Sequence, residues 1–316
     1  MVKLQELKNN LDELELDLSG KTSSNIVEEL NDLIRAGGKR FRPGLLLLMG
    51  KLFGLGPKEL SVFARAVELT HLASLVHDDV IDESDSRRNH PTLNATRNNT
   101  TAILAGDFLL ASVMGELALQ NNNEILIDLT LSIKDLADGE WLQFDLKKKE
   151  HVTVEDLEKI HIKKTGSLIR WCCTTPAKLV GHKDIPTLAT LGERIGLIFQ
   201  MADDIVDGLN VGGRAPFQDL VNGQLNYVTL KLIELYPHLF GPVYEFRKNP
   251  KTHFPWTDEQ YMKAIMAVHE EINFEKDKVL SIFNSLCVEH KQMDLFPIFE
   301  ITINKIQSNY IGPLKI

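Results

Sequence analysis

Cysteine is scarce: there are three in 316 residues, Cys172 and Cys173 side by side and Cys287 far away. An odd count with no spaced pair excludes a disulfide framework and a paired-cysteine metal site. The expectation is free thiols in a reducing, cytoplasmic compartment. Long apolar runs are missing as well. The purest, Leu45 to Leu48, falls far short of the roughly 18 residues a bilayer span needs. The opening stretch MVKLQELKNNLDELELDL carries acids throughout and no apolar core, so no secretory signal is expected. Sustained apolar–polar alternation with β-branched residues is also absent, and no strand is expected. Basic residues are in the minority, 35 Lys and Arg against 44 Asp and Glu, a net charge of −9. That balance argues against a general nucleic-acid binder, because nothing offsets repulsion from phosphates.

What is present is an ordinary globular composition, 43% hydrophobic and 25% charged, patterned with helical period nearly everywhere. Residues 23–36 place Ile26, Leu30, Leu33 and Ile34 on one face. A longer helical pattern runs over 57–83 from Pro57, a favoured first-turn residue. Further helical stretches are expected at 99–120, 122–148, 153–180, 186–209, 224–236, 257–289 and 294–308. The segment 240–256, FGPVYEFRKNPKTHFPW, reads as a loop or small flap whose aromatics pack locally. No break is long enough for an interdomain linker. The expectation is one all-α domain over residues 1–316, a bundle of about ten or more helices.

Two segments carry the chemistry, Asp78-Asp79-Val80-Ile81-Asp82 and Asp203-Asp204-Ile205-Val206-Asp207. On a helix, residues i and i+4 share a face, so Asp78 joins Asp82 and Asp203 joins Asp207. Three carboxylates this close repel one another, and inside an apolar pattern they call for a cation. Hard oxygen ligands suit Mg²⁺, which is commonly shared with substrate phosphates. A single motif of this kind could be a solvated acidic face. With 21 Asp in 316 positions, chance supplies only about a tenth of one match, so two copies favour a metal.

Matching cations are at hand. Gly37-Gly38-Lys39-Arg40-Phe41-Arg42-Pro43 is a glycine turn with three bases, Arg87-Arg88 follows the first acidic motif, and Lys163-Lys164-Thr165 precedes the second. Glycines let backbone approach an anion, and Lys with Arg clamp phosphate oxygens. Acids and bases together read as a charged mouth for two phosphorylated substrates. No Ser/His/Asp or Cys/His set suggests a side-chain nucleophile.

The pieces GGKRFRP, ELTHLASLVHDDVIDESDSRR, GDFLLA, GEWLQ, KKTGSLI, FQMADDIVD and the DL of FQDL, in this order over residues 37–220, resemble the trans-polyprenyl diphosphate synthases of the all-α isoprenoid synthase family. That resemblance implies a helical bundle around a central cavity. It assigns Mg²⁺ to Asp78, Asp79, Asp82, Asp203, Asp204 and Asp207, about three ions with substrate bound. The allylic diphosphate falls to Arg87, Lys164, Thr165, Gln200 and Arg214, and isopentenyl diphosphate to Lys39, Arg42, His71 and Arg88. Phe199 would face the reacting prenyl group. Three positions depart from the pattern: Asn89 stands where Gly is usual, Arg214 replaces a Lys with retention of charge, and Gln224 replaces a second Lys with its loss.

The implied reaction is Mg²⁺-dependent head-to-tail condensation of isopentenyl diphosphate with an allylic prenyl diphosphate, the two aspartate stretches facing one another across a cavity. Ala73 and Ser74, about one turn before Asp78, are both small and leave depth for a product of about twenty carbons or more, roughly C30 to C45. A homodimer, product handover at a membrane without an anchor, and no nucleic-acid partner complete the expectation. The alternatives are a non-catalytic subunit of a heteromeric synthase, a terpene cyclase (which usually carries a different second metal motif), and a carboxylate-bridged di-iron oxidase. The last rests on the ExxH pairs Glu68/His71 and Glu158/His161.

Overall fold

Helical periodicity is borne out along most of the chain. The computed structural model describes residues 2–14, 16–18, 26–36, 38, 40–87, 90–209, 216–250 and 253–314, with the side chains of all of these except 2–4, 36 and 307–314. Among the described residues the helices are α1 (Val2–Asp12), α2 (Ile26–Ala36), α3 (Phe41–Leu52), α4 (Pro57–Ile81), α5 (Leu93–Thr96), α6 (Asn99–Ala118), α7 (Asn123–Leu146), α8 (Val154–His161), α9 (Ser167–Leu179), α10 (Ile185–Gly208), α11 (Gln218–Val221), α12 (Tyr227–Leu235), α13 (Phe240–Lys248), α14 (Asp258–Glu289) and α15 (Phe296–Leu314). A π-helical turn, Ile162–Gly166, joins α8 to α9. Among the described residues the one pair of strands, where no strand was expected, is a short antiparallel pairing of Ser86–Arg87 with His90–Pro91.

The chain divides into two compact units, residues 1–133 with 171–185 and residues 134–170 with 186–316. In the first, α4 packs against α3 and α6. Glu59 starts α4 by accepting a 2.7 Å hydrogen bond from the Gly56 N–H with its carboxylate, satisfying one of the amides a helix start leaves unpaired. The buried faces are Leu45, Leu46 and Leu48 on α3, Leu60, Val67, Ala73 and Val76 on α4, and Ala105, Leu109 and Val113 on α6. Each full-size aliphatic side chain buried this way contributes about 1.5–3 kcal/mol. Trp171 closes this core, its indole N–H donating 3.2 Å to the Ile125 carbonyl. Helix α6 is long and apolar enough to cross a membrane by length and composition alone, a test that core helices also pass. Cys172 and Cys173 are fully buried free thiols, as the sequence led us to expect, and burial pushes both thiols up.

In the second unit, α12 packs on α14, and Phe283 of α14 stacks on Phe299 of α15 at 3.8 Å between ring centres. The segment 240–256, expected as a loop, begins with the helix α13. Its aromatics do pack locally: Phe246, Phe254 and Trp256 form one cluster with Phe217 and Tyr261. The expected helix 153–180 is interrupted by the π turn. Residues 41–52, an apolar run with weak periodicity, are helical as well.

Candidate active site

Helix α10 presents Gly192, Gly196, Gln200 and Asp204 four residues apart, hence along one face. The glycine half of this stripe gives close approach. A Cβ at Gly192 would lie 2.4 Å from the Arg170 Cα, and one at Gly196 would lie 2.5 Å from the Gly166 Cα. The π turn therefore rests backbone to backbone on α10. On α7, Asp135, Gly139 and Gln143 repeat the same spacing, and a Cβ at Gly139 would meet the Lys164 Cγ at 2.7 Å. Asp135 takes Lys163 at 2.7 Å and Arg170 at 2.8 Å, while Arg170 also reaches Glu193 at 3.0 Å. These cations hold the Asp135 carboxyl below its ordinary value against the opposing effect of burial. Wide turns of this kind recur at functional sites, and here the wide turn carries Lys164 and Thr165.

Lys164, Gln143, Gln200 and Asp204 line a cavity of about 120 Å³, together with His161, Asp219, Gln224 and Arg247. Lys164 Nζ donates to Gln143 Oε1 at 2.6 Å and also pairs with Glu140. Gln143 Nε2 donates to Gln224 Oε1 at 2.5 Å. From the neighbouring Thr165, the hydroxyl donates to Gln200 Oε1 at 3.4 Å, and Gln200 Nε2 donates to Asp204 Oδ1 at 3.1 Å. His161 is buried, with no hydrogen-bond partner at Nδ1. Burial, and then the charge of Lys164, pushes its pKa down to about 3, so the imidazole is neutral. Glu158, its partner in the di-iron alternative, lines a different cavity of about 430 Å³. The ExxH pair of α8 therefore does not converge, and that alternative loses its support.

Within the second aspartate motif the three carboxylates differ. Asp203 is exposed, Asp207 half-buried and Asp204 only 2% exposed. Asp204 Oδ2 accepts the Tyr227 N–H at 2.8 Å. Burial, then the Asp219 charge, raises its carboxyl well above the ordinary range. Asp219, which entered the sequence reading only as the Asp of the DL in FQDL, belongs to this cluster. Its N–H donates to Asp207 Oδ1 at 3.3 Å, and Asn226 Nδ2 donates to Asp219 Oδ2 at 3.1 Å and Asp207 Oδ2 at 3.5 Å. The return of the chain is fixed by Phe217, left-handed at φ 63°, whose N–H donates 2.7 Å to the Asp207 carbonyl and whose ring enters the aromatic cluster. Arg247, also missed, is buried. It donates to the carbonyls of Gly223 at 2.8 Å, Lys149 at 3.1 Å and Leu146, tying the Gly223–Gln224 turn to the end of α7. Its sequence signal was no more than one base among Arg247, Lys248 and Lys251, in a segment read for its aromatics.

In the other unit the first motif ends α4. Asp78 is half-buried, Asp82 exposed, and Asp79 turned inward at 6% exposure. Arg87 Nε donates to Asp79 Oδ1 at 2.8 Å. Burial nevertheless raises the Asp79 carboxyl, outweighing Arg87. Asn94 Nδ2 donates to the Asp79 carbonyl at 3.3 Å and the Ser84 carbonyl at 3.0 Å, fastening the motif to the chain that follows it. His71 and Ser74 are half-buried on α4, Ser74 Oγ donating 2.8 Å to the His71 carbonyl, while Ala73 is fully buried. Arg42 is half-buried in the first turn of α3. Phe199 is half-buried and does not line the 120 Å³ cavity. Lys39, Arg88 and Arg214 lie outside the described residues. A divalent cation fits the donors present: the outer aspartates are oxygen ligands within reach of solvent, and the Asp219 charge that adds to burial in raising Asp204 is what such an ion relieves.

Comparison with known proteins adds three findings. The family described as polyprenyl synthetase matches residues 23–249. A prenyl transferase of Synechocystis sp. is 39% identical over 67% of this chain and 68% of its own length. Solanesyl diphosphate synthase 3 of Arabidopsis thaliana is 31% identical over 76% of this chain, which spans 64% of that enzyme. Among solved structures, heptaprenyl diphosphate synthase of Staphylococcus aureus superposes with a TM-score of 0.78 at 26% identity, covering 96% of this chain and 98% of that one.

Proposed function

The chain belongs to the polyprenyl synthetase family of prenyltransferases, and from that premise we propose that it condenses isopentenyl diphosphate with an allylic prenyl diphosphate to give a long all-trans polyprenyl diphosphate, roughly C30 to C45. The single observation that carries the site reading is the cavity lined by Lys164, Gln200 and Asp204, with Thr165 hydrogen-bonded to Gln200 behind it. The names of the solanesyl and heptaprenyl synthases support a long product. The smallness of Ala73 and Ser74 before Asp78 supports it too.

Chemically, a carbon–oxygen bond must break and an allylic cation must form. Asp78 and Asp82 of the first motif, and Asp203 and Asp207 of the second, would hold Mg²⁺, which would supply charge neutralisation for a departing diphosphate. Lys164 and Thr165 bind its oxygens, and Gln200 orients Thr165 through their hydrogen bond. Arg87 lies 34% exposed on Asp79, close enough to solvent to share itself with an anion. Apolar walls exclude water from the cation until the isopentenyl double bond attacks and a proton is lost. We take residues 1–316 as one such catalytic chain, cytoplasmic, acting as a homodimer and delivering its product to a membrane surface. Exposed Ile103 and Leu104 on α6 and Ile127 and Leu131 on α7 support the dimer.

Incubation of the purified chain with Mg²⁺, isopentenyl diphosphate and farnesyl or geranylgeranyl diphosphate, followed by chain-length analysis, tests the reading. A ladder of elongated diphosphates is expected. A cyclised hydrocarbon would indicate a cyclase instead, and no product from the single chain would indicate a subunit that needs a partner.

A further inference from the structure

Lysine can only donate hydrogen bonds. The Gln143 oxygen must therefore face Lys164, which turns the Gln143 NH₂ toward Gln224 and leaves the Gln224 oxygen as its acceptor. The direction of all three groups follows from the charge at one end. What remains at the other end is the Gln224 NH₂, in a side chain that lines the cavity and with no hydrogen-bond partner among the described residues. The adjacent chain, from Thr165 through Gln200 to Asp204, is pinned the opposite way, since a carboxylate only accepts. Two amide relays thus leave neighbouring residues of one π turn. One carries donor character into the cavity, and the other spends it on a buried acid.

We propose that Gln143 is a positioning residue that couples Lys164 to Gln224, so that the NH₂ of Gln224 is aimed at an oxyanion in the cavity and stands in, as an uncharged donor, for the ammonium that the family pattern leads one to expect there. The proposal rests on the reading of this cavity as a diphosphate site. It makes residues 143 and 224 a matched pair. A lysine at 224 has nothing to accept from the Gln143 NH₂, and a glutamate at 143 has nothing to give the Gln224 oxygen. With both changes made together, the new carboxylate accepts from both ammonium groups and the relay is restored with a second cation.

The test is a four-member cycle of wild type, Gln143→Glu, Gln224→Lys and the double variant, with Gln224→Glu as a fifth protein. Binding of inorganic pyrophosphate with Mg²⁺ is measured by calorimetry, KM for the allylic substrate by turnover, and Tm as a control for folding. Each single variant is expected to weaken pyrophosphate binding about tenfold, and the double variant to recover it. Gln224→Glu keeps the bond from Gln143 but loses the outward donor, so binding falls by about tenfold or more with Tm unchanged. Overturning results are effects that add within about twofold, Gln224→Lys alone binding more tightly than wild type, or Gln224→Glu binding like wild type. Pyrophosphate binding that follows the cycle in a protein that elongates nothing would sink the prenyl-transfer reading and leave the relay standing. Elongation with an additive cycle would do the reverse, and absence of pyrophosphate binding to wild type overturns both.

Discussion

Both aspartate motifs turn their middle carboxylate inward, Asp79 to 6% exposure and Asp204 to 2%, yet the two find opposite kinds of partner. Asp79 meets a cation, Arg87, at 2.8 Å. Asp204 meets only neutral donors, the Tyr227 N–H and the Gln200 amide, and stands beside another carboxylate, Asp219. Identical spacing in the sequence thus yields one motif whose inner charge is matched within its own loop and one whose inner charge is left in excess. The difference teaches that one spacing can leave an inner carboxylate charge-matched or crowded, depending on what the rest of the fold brings to it.

The largest expected effect falls on the outer pair of each motif. Asp78→Ala and Asp203→Ala should each lower kcat by about a thousandfold in a radiolabelled isopentenyl diphosphate assay. Near-normal turnover in either would break the equivalence of the two outer pairs. Next is the product. Ser74→Phe, on the same face as Asp78 one turn earlier, should shorten the chain by one or more isoprene units, and Ala73→Phe should do so at a stability cost of about 1–3 kcal/mol because that site is fully buried. Unchanged product length in both would remove the pocket from beneath the first motif.

The inner carboxylates give smaller effects of unequal size. Asp79→Asn keeps an acceptor for Arg87 but trades a charge-assisted bond for a neutral one, a loss that release of the buried charge offsets, so its stability should stay within about 1 kcal/mol of wild type in urea titrations without divalent ions. Asp204→Asn keeps an acceptor for the Tyr227 N–H, and the Gln200 amide can turn to meet it, with Thr165 accepting in place of donating. This variant should be more stable than wild type at pH 8, and by more than Asp79→Asn. The gain should fade as pH falls, because protonating Asp204 relieves the same burial penalty. Equal shifts in the two variants would erase the contrast. At neutral pH the smallest effect belongs to His161, whose pKa drops from 6.5 to about 3 on folding. The unfolded chain takes up a proton near pH 6.5 that the native state refuses, so native stability declines as pH falls from 6.5 toward 3, by up to about 1.4 kcal/mol per unit. His161→Phe should lack that component of the acid slope.

Much of this was legible from residue order. The paired aspartates and Lys164 declared themselves by charge inside apolar helix patterns, Thr165 and Gln200 through the family resemblance, and α4, α6, α10 and α14 by period. What escaped was set by packing across distant parts of the chain. The π turn has no local signature, because it exists only where Gly139 and Gly196 let α7 and α10 crowd it. Asp219 showed no charge cluster of its own because its companions, Asp207 and Asn226, are brought to it by the Phe217 fold-back. Arg247 sat in a segment read as a loop, and its role depends on carbonyls about a hundred residues upstream. Helix α3 was obscured because a face buried all round leaves no amphipathic stripe to read.

The stretched winding between α8 and α9 also bears on how freely this chain can change length. A wide turn holds about one residue more than an ordinary one, so deleting one residue there would restore ordinary winding and leave Arg170 and the rest of α9 close to their present directions. The loss would fall on the turn itself, where Lys164 meets Gln143 and Gly166 meets Gly196. The same deletion inside α9, with no wide turn to absorb it, would swing every side chain beyond it by about 100° about the helix axis.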